Sequence, residues 1–371
     1  MTDTLVTLFA VHSSWRFWFY LLLIAIAETA TAVWSPQLGM ILHALLLIGM
    51  IIHGAMARQE TERKFALALT LAPLIRMLSL SLPLAKMPQI AWYPVVAIPL
   101  LLACWTIIHQ NGMSRRDLGL FSTDLVAEPL LMIGGLGLGA IEYAILRPTP
   151  LFQSFSWGMF LVAALTLALS TGLPEELIFR GMLQRLALPT LGRWAIVYVA
   201  LLFTVLHIGY KSILDVMFVF AVGMIFGKIV RQSGSIIGVT LAHGMTNITL
   251  FLIMPHLVAN QGGPNISETI WMVLLGLQLS GGVLGILMLH SWNQRDQPPA
   301  DSPFLGNMRS LRRASGITYI ELARRTGLSA RAIAEIEQGM SLVQPQQADR
   351  IARVLGVSLQ VLETRPIAGS V

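Results

Sequence analysis

Thr171-Gly-Leu-Pro-Glu-Glu-Leu-Ile-Phe-Arg180 sets two adjacent carboxylates, and an arginine four residues after the second, in the middle of an otherwise apolar chain. Of the 371 residues, 55% are hydrophobic and 12% charged, with a mean hydropathy of +0.70. Soluble domains carry about one quarter charged residues. The composition therefore excludes an ordinary soluble enzyme and predicts an all-α, polytopic transmembrane helix bundle. Ionisable groups inside such a bundle are costly to keep and mark function by default.

Working outward from this stretch, apolar runs long enough to cross a bilayer fall at 17–35, 38–57, 65–85, 90–109, 127–146, 155–172, 194–210, 212–230, 235–255 and 269–290. The expectation is about ten spans. With the N-terminus cytoplasmic, the expected inner loops hold most of the cations, from Arg16 and Arg58 to Lys228 and Arg231. The outer side holds only Lys86, Arg147 and Lys211. This positive-inside asymmetry predicts a multi-pass cell-membrane protein with both termini in the cytoplasm, and Glu175 and Glu176 near the cytoplasmic face. The first run has no small-residue cleavage site after it and reads as a retained span. Gly135 with Gly139, and Gly281 with Gly285, have the small-xxx-small spacing that lets membrane helices approach closely. The single cysteine, Cys104, excludes an intramolecular disulfide framework and reads as a small buried hydrophobe.

Residues 293–303, polar and proline-containing, read as a linker. Beyond it, residues 304–365 have the composition of a small soluble helical domain of four to five helices. They carry nine arginines against five acids and hold most of the chain's net charge of +6.

Pro174 suits the first position of a helix, so Glu175 and Glu176 are expected at a helix start. Arg180 then lies one turn beyond Glu176, in the favourable order for an ion pair. Glu175 is rotated by about 100° and has no partner at that spacing. The pair thus divides into a structural acid and a free one, unless both acids merely cap the helix. Two further motifs follow. Phe203-Thr-Val-Leu-His207 puts an aromatic ring and an imidazole one turn apart, and His243-Gly-Met-Thr-Asn247 puts an imidazole and an amide on one face. Asn donates amide hydrogens and His donates or accepts, which suits both to a developing oxyanion. Gly244 leaves room for a close approach beside His243. The remaining histidines, His12, His43, His53, His109, His256 and His290, read as interfacial or structural.

The order EExxxR, FxxxH, HxxxN resembles the signature of the CPBP family, which includes the type II CAAX prenyl endopeptidases and bacteriocin-processing or immunity proteins. All three motifs match, and the resemblance covers about Leu125 to Leu289. It implies peptide-bond hydrolysis in or at the membrane, with residues 121–292 as the protease core and residues 1–120 as helices without a family motif. By similarity Glu175 activates the attacking water with help from His207. Glu176 and Arg180 hold the motif helix, while His243 and Asn247 stabilise the oxyanion. A zinc cofactor stays open, with Glu176, His207 and His243 as its ligands. The motifs lack HExxH, which disfavours a metal.

Residues 305–364 are similar to the lambda-repressor-like helix-turn-helix family of the XRE type, most specifically over Glu321 to Gly339. That implies a helix beginning near Ser329 in the major groove, with Thr318, Tyr319, Ser329 and Arg331 as the DNA contacts. Tyr319 stands where many members place a glutamine. The expected partners are a membrane-embedded or membrane-associated peptide or protein substrate, the lipid bilayer, and DNA or a protein partner through residues 304–365. Two alternatives to the endopeptidase remain. One is a membrane-tethered transcription regulator with a non-catalytic sensor core. The other is a non-proteolytic immunity protein.

Overall fold

The computed structural model describes residues 2–82, 84–122, 125–152, 156–260, 303–337 and 343–363. Among them every regular element is a helix. The chain divides into two compact units, Met1–Leu289 and His290–Val371.

In the first unit, eight described helical stretches are long and apolar enough to cross a membrane: Trp15–Trp34, Pro36–Met56, Glu60–Ser81, Gln89–Gln110, Ala127–Leu146, Trp157–Tyr210, Ile213–Ser233 and Ile237–Val258. Nine of the ten expected runs fall on these eight stretches. The runs expected separately at 155–172 and 194–210 belong to one 54-residue stretch, Trp157–Tyr210. The span expected at 269–290 lies outside the described residues, as do Gly281, Gly285 and most of the linker at 293–303.

The helices that position the site are α1 (Thr2–Thr29), α2 (Pro36–Met56), α3 (Glu60–Leu69), α4 (Leu71–Ser81), α5 (Gln89–Gln110), α6 (Ala127–Leu146), α7 (Trp157–Leu167), α8 (Leu173–Glu176), α9 (Gln184–Leu191), α10 (Ala195–Val205), α11 (Ile213–Ser233) and α12 (Ile237–Ile248). The expected helix start at Pro174 is instead the interior of a helical run. Gly172 already has helical φ and ψ of −54° and −51°. Wide π-turns at Ala168–Gly172 and Leu177–Leu183 flank α8. Proline has no N–H for the ordinary i→i−4 bond, and the wider turn before it accommodates the loss without ending the helix. The run turns only at Gly192, whose φ of +54° favours glycine.

α6 and α12 pack backbone to backbone. A Cβ on Gly135 would lie 2.3 Å from the Ala242 carbonyl oxygen, and one on Gly139 would lie 2.4 Å from that of Thr246. Gly172 meets Gly244 on α12 in the same way, at 2.9 Å from its nitrogen. These glycines bring the motif helices together. A second core joins α1, α3 and α10 through Phe17, Phe65 and Tyr198, and the Tyr198 hydroxyl donates to the Phe17 carbonyl at 3.0 Å.

The second unit has its own core, including Met308, Leu322, Ile333, Ile336, Ile351 and Leu362. Helices Tyr319–Thr326 and Ala330–Glu337 are joined by a short turn in which Gly327 has φ +69°. Arg312 grips the buried Glu337 carboxylate with two 3.0 Å hydrogen bonds.

Candidate active site

Glu176 is the centre of the polar cluster in the first unit, and its side chain is 0% exposed. Its Oε1 accepts from Arg180 Nη1 at 2.8 Å, the i, i+4 pair read from the sequence. The same oxygen accepts from His243 Nδ1 on α12, also at 2.8 Å. The Glu176 oxygen accepts from both partners, so Nδ1 of His243 carries the proton and Nε2 is left to act in the site. The Arg180 guanidinium also lies 4.5 Å from the Phe203 ring centroid and 5.9 Å from that of Phe226, a cation–π arrangement.

Glu175 is 29% exposed at its side chain, and its Oε2 is 3.7 Å from His243 Nε2. The two acids therefore divide as the spacing requires, one buried and held, the other facing open space. His207 packs on the Phe203 ring at 4.6 Å between centroids, and its Nδ1 donates to the Phe203 carbonyl at 2.8 Å. A carbonyl can only accept, so neutral His207 keeps its lone pair on Nε2. Asn247 Nδ2 donates to Thr171 Oγ1 at 2.8 Å, and Thr171 in turn donates to the Leu167 carbonyl at 2.5 Å.

Glu175, Glu176, Arg180, His207, His243 and Asn247 all line one cavity of about 480 Å³. The three motifs, spread over three helical segments, thus converge. The same cavity is lined by Arg76, Tyr93, Glu142, Thr171 and Tyr210, which sequence reasoning missed. Arg76 and Glu142 carried a usable signal, since each is an ionisable residue inside an apolar run. Thr171, Tyr93 and Tyr210 carried none.

Glu176, His207 and His243 do not assemble as a zinc ligand set. Among the described residues no three His, Cys, Asp or Glu side chains are grouped to hold a metal ion. Glu176 Oε1 serves Arg180 and His243, and His207 Nδ1 is bound to a carbonyl, which ties these side chains to protein partners.

Residues 157–249 match the family described as type II CAAX prenyl endopeptidase Rce1-like. Residues 308–362, further along the chain, match the helix-turn-helix family. A search of curated proteins and a search of solved structures gave no match. The Rce1-like segment contains all three motifs, whereas Arg76 and Glu142 lie before it. Within the helix-turn-helix segment, the hydroxyls of Thr318 and Ser329 cap their helices, accepting from the Glu321 and Ala332 amides at 3.2 and 3.0 Å. Tyr319 and Arg331 fall at the first and second positions of the two helices after those caps.

Proposed function

We propose that this chain is an intramembrane endopeptidase that hydrolyses a peptide bond of a membrane-embedded or membrane-associated substrate. The observation that carries this reading is the meeting of both acids on His243 at one cavity, with Glu175 3.7 Å from its Nε2 and Glu176 2.8 Å from its Nδ1. Glu175 is the general base. It takes a proton from a water that attacks the scissile carbonyl carbon, and later gives that proton to the leaving amine as the C–N bond breaks. His207 Nε2, with its lone pair toward the cavity, accepts from the same water and orients it. Glu176 fixes the orientation of the His243 ring, and His243 Nε2, when it carries a proton, donates to the tetrahedral oxyanion. The second amide hydrogen of Asn247, not used by Thr171, is the other oxyanion donor.

The second unit is read as a DNA-binding module, with the helix Ala330–Glu337 entering the major groove and Arg331 reading bases. The cation asymmetry of the loops supports a cytoplasmic location for both termini.

The test compares Glu175→Gln with Glu175→Asp in membranes containing a processed substrate. The Gln variant is expected to lose about 10²–10⁴-fold in cleavage rate, the scale of general-base catalysis, and the Asp variant to retain part of it. Full activity in Glu175→Gln removes the base assignment. For the second unit, salt-dependent binding to duplex DNA with a preference for one sequence is the expected result.

A further inference from the structure

The helices ahead of the Rce1-like segment carry a chain of charged groups that ends at the Leu206 carbonyl, one residue before His207. Glu28 on α1 is 1% exposed. Arg76 on α4 grips its carboxylate twice, with Nε to Oε1 at 2.9 Å and Nη2 to Oε2 at 2.7 Å. His43 on α2 is wholly buried, with Nε2 3.4 Å from Glu28 Oε1. Arg76 then reaches across the bundle and donates from Nη2 to the Leu206 carbonyl at 2.8 Å. It lines the cavity beside His207.

That carbonyl matters because of where it stands. α10 ends at Val205 with Leu206 as its C-cap, so the Leu206 carbonyl lies beyond the helix's own ladder of bonds. The peptide plane joining Leu206 to His207 is gripped at both ends: Arg76 holds its carbonyl, and its N–H, that of His207, donates to Thr204 O at 2.9 Å. The imidazole is tied a third time by Nδ1–H to Phe203 O. A guanidinium in a membrane bundle has to be offset by a buried acid, and apolar packing would do the purely structural task at less cost.

We propose that Arg76 is a positioning residue for His207, with Glu28 as its anchor, so that the N-terminal helices complete a site whose recognised motifs all lie in the Rce1-like segment. The assignment of His207 to the reaction rests on the proposed protease reading, while the positioning itself does not. The experiment therefore reads His207 directly, in the full chain in detergent or nanodiscs. Diethyl pyrocarbonate modification of His207 is followed by mass spectrometry across pH, with exposed His109 as the internal reference. Arg76→Met removes the charged donor and should raise His207 modification about tenfold, the loosening expected when one charge-assisted hydrogen bond is lost. Arg76→Lys keeps the charge opposite Glu28 with a single ammonium that cannot grip both partners, and should fall between wild type and Arg76→Met. Where Arg76→Met fails to fold, Arg76→Lys decides alone. Unchanged His207 modification and pH profile in the folded variants overturns the proposal. On cleavage, a folded variant should lose kcat with KM nearly kept. A fully active Glu175→Gln together with a raised His207 reactivity in Arg76→Lys would remove the protease reading and leave the positioning role standing.

Discussion

Glu176 and His243 stand 67 positions apart in the chain and share a 2.8 Å hydrogen bond in a site where the glutamate is completely buried. Arg180 completes the arrangement on the same oxygen. Replacing Glu176 with Gln leaves Arg180 without its counter-charge, so thermal melts should show a loss of about 3–5 kcal/mol, the cost of breaking a buried pair. Nitrogen NMR of His243 should also show its two ring nitrogens no longer held as a fixed tautomer. An unchanged melt and unchanged His243 spectrum would contradict the geometry.

Asn247 is held by Thr171, and in the proposed mechanism its second amide hydrogen serves the oxyanion. Asn247→Ala should lower kcat by about 10²–10³-fold with little change in KM, as loss of an oxyanion donor does. Thr171→Val removes the hydroxyl that fixes the amide and should have a smaller effect in the same direction. A change in KM alone would assign Asn247 to substrate binding instead.

The contact between α6 and α12 makes a stability prediction. A methyl at Gly135 or Gly139 meets backbone oxygen at 2.3 or 2.4 Å, and backbone cannot swing aside as a side-chain end can. Gly135→Ala or Gly139→Ala should each destabilise the protein by about 1–3 kcal/mol. Gly49→Ala and Gly158→Ala, where nothing lies within 4 Å, are the controls and should be close to neutral. Denaturation in a fixed detergent, followed for all four, tests the contrast.

In the second unit, Glu321 accepts from Arg324 at 2.8 and 3.0 Å and from Arg325 at 2.6 Å. The two guanidinium groups hold its carboxyl down at about 2. A depressed folded value means that its stabilising contribution is complete above the ordinary glutamate value of about 4.3 and disappears as pH falls toward the folded one. The stability gap between wild type and Glu321→Gln in the segment His290–Val371 should therefore close between about pH 4.3 and 2. Carboxyl NMR gives the direct check, and a Glu321 that titrates at the ordinary glutamate value defeats the prediction.

Much of this architecture was legible before any coordinates. Apolar run length gave the helical spans because a bilayer core demands about 20 apolar residues per crossing. The i, i+4 spacings of Glu176 with Arg180 and Phe203 with His207 are properties of one helix, so they transfer from sequence to structure. The glycine spacing at 135 and 139 likewise announced a close helix contact. What misled was Pro174. It read as a helix start because proline suits that position, but the wide turn at Ala168–Gly172 carries the helix through it.

The sequence by itself determined the helical class, a separate C-terminal helical segment and which polar side chains share a helical face, since each depends only on local periodicity and composition. Only the tertiary structure decided that Glu176 orients His243, that Asn247 leans on Thr171, and that Arg76 reaches the carbonyl before His207. Those contacts join helices far apart in the chain. Their distances are set by glycine packing and helix crossing, which no local spacing encodes.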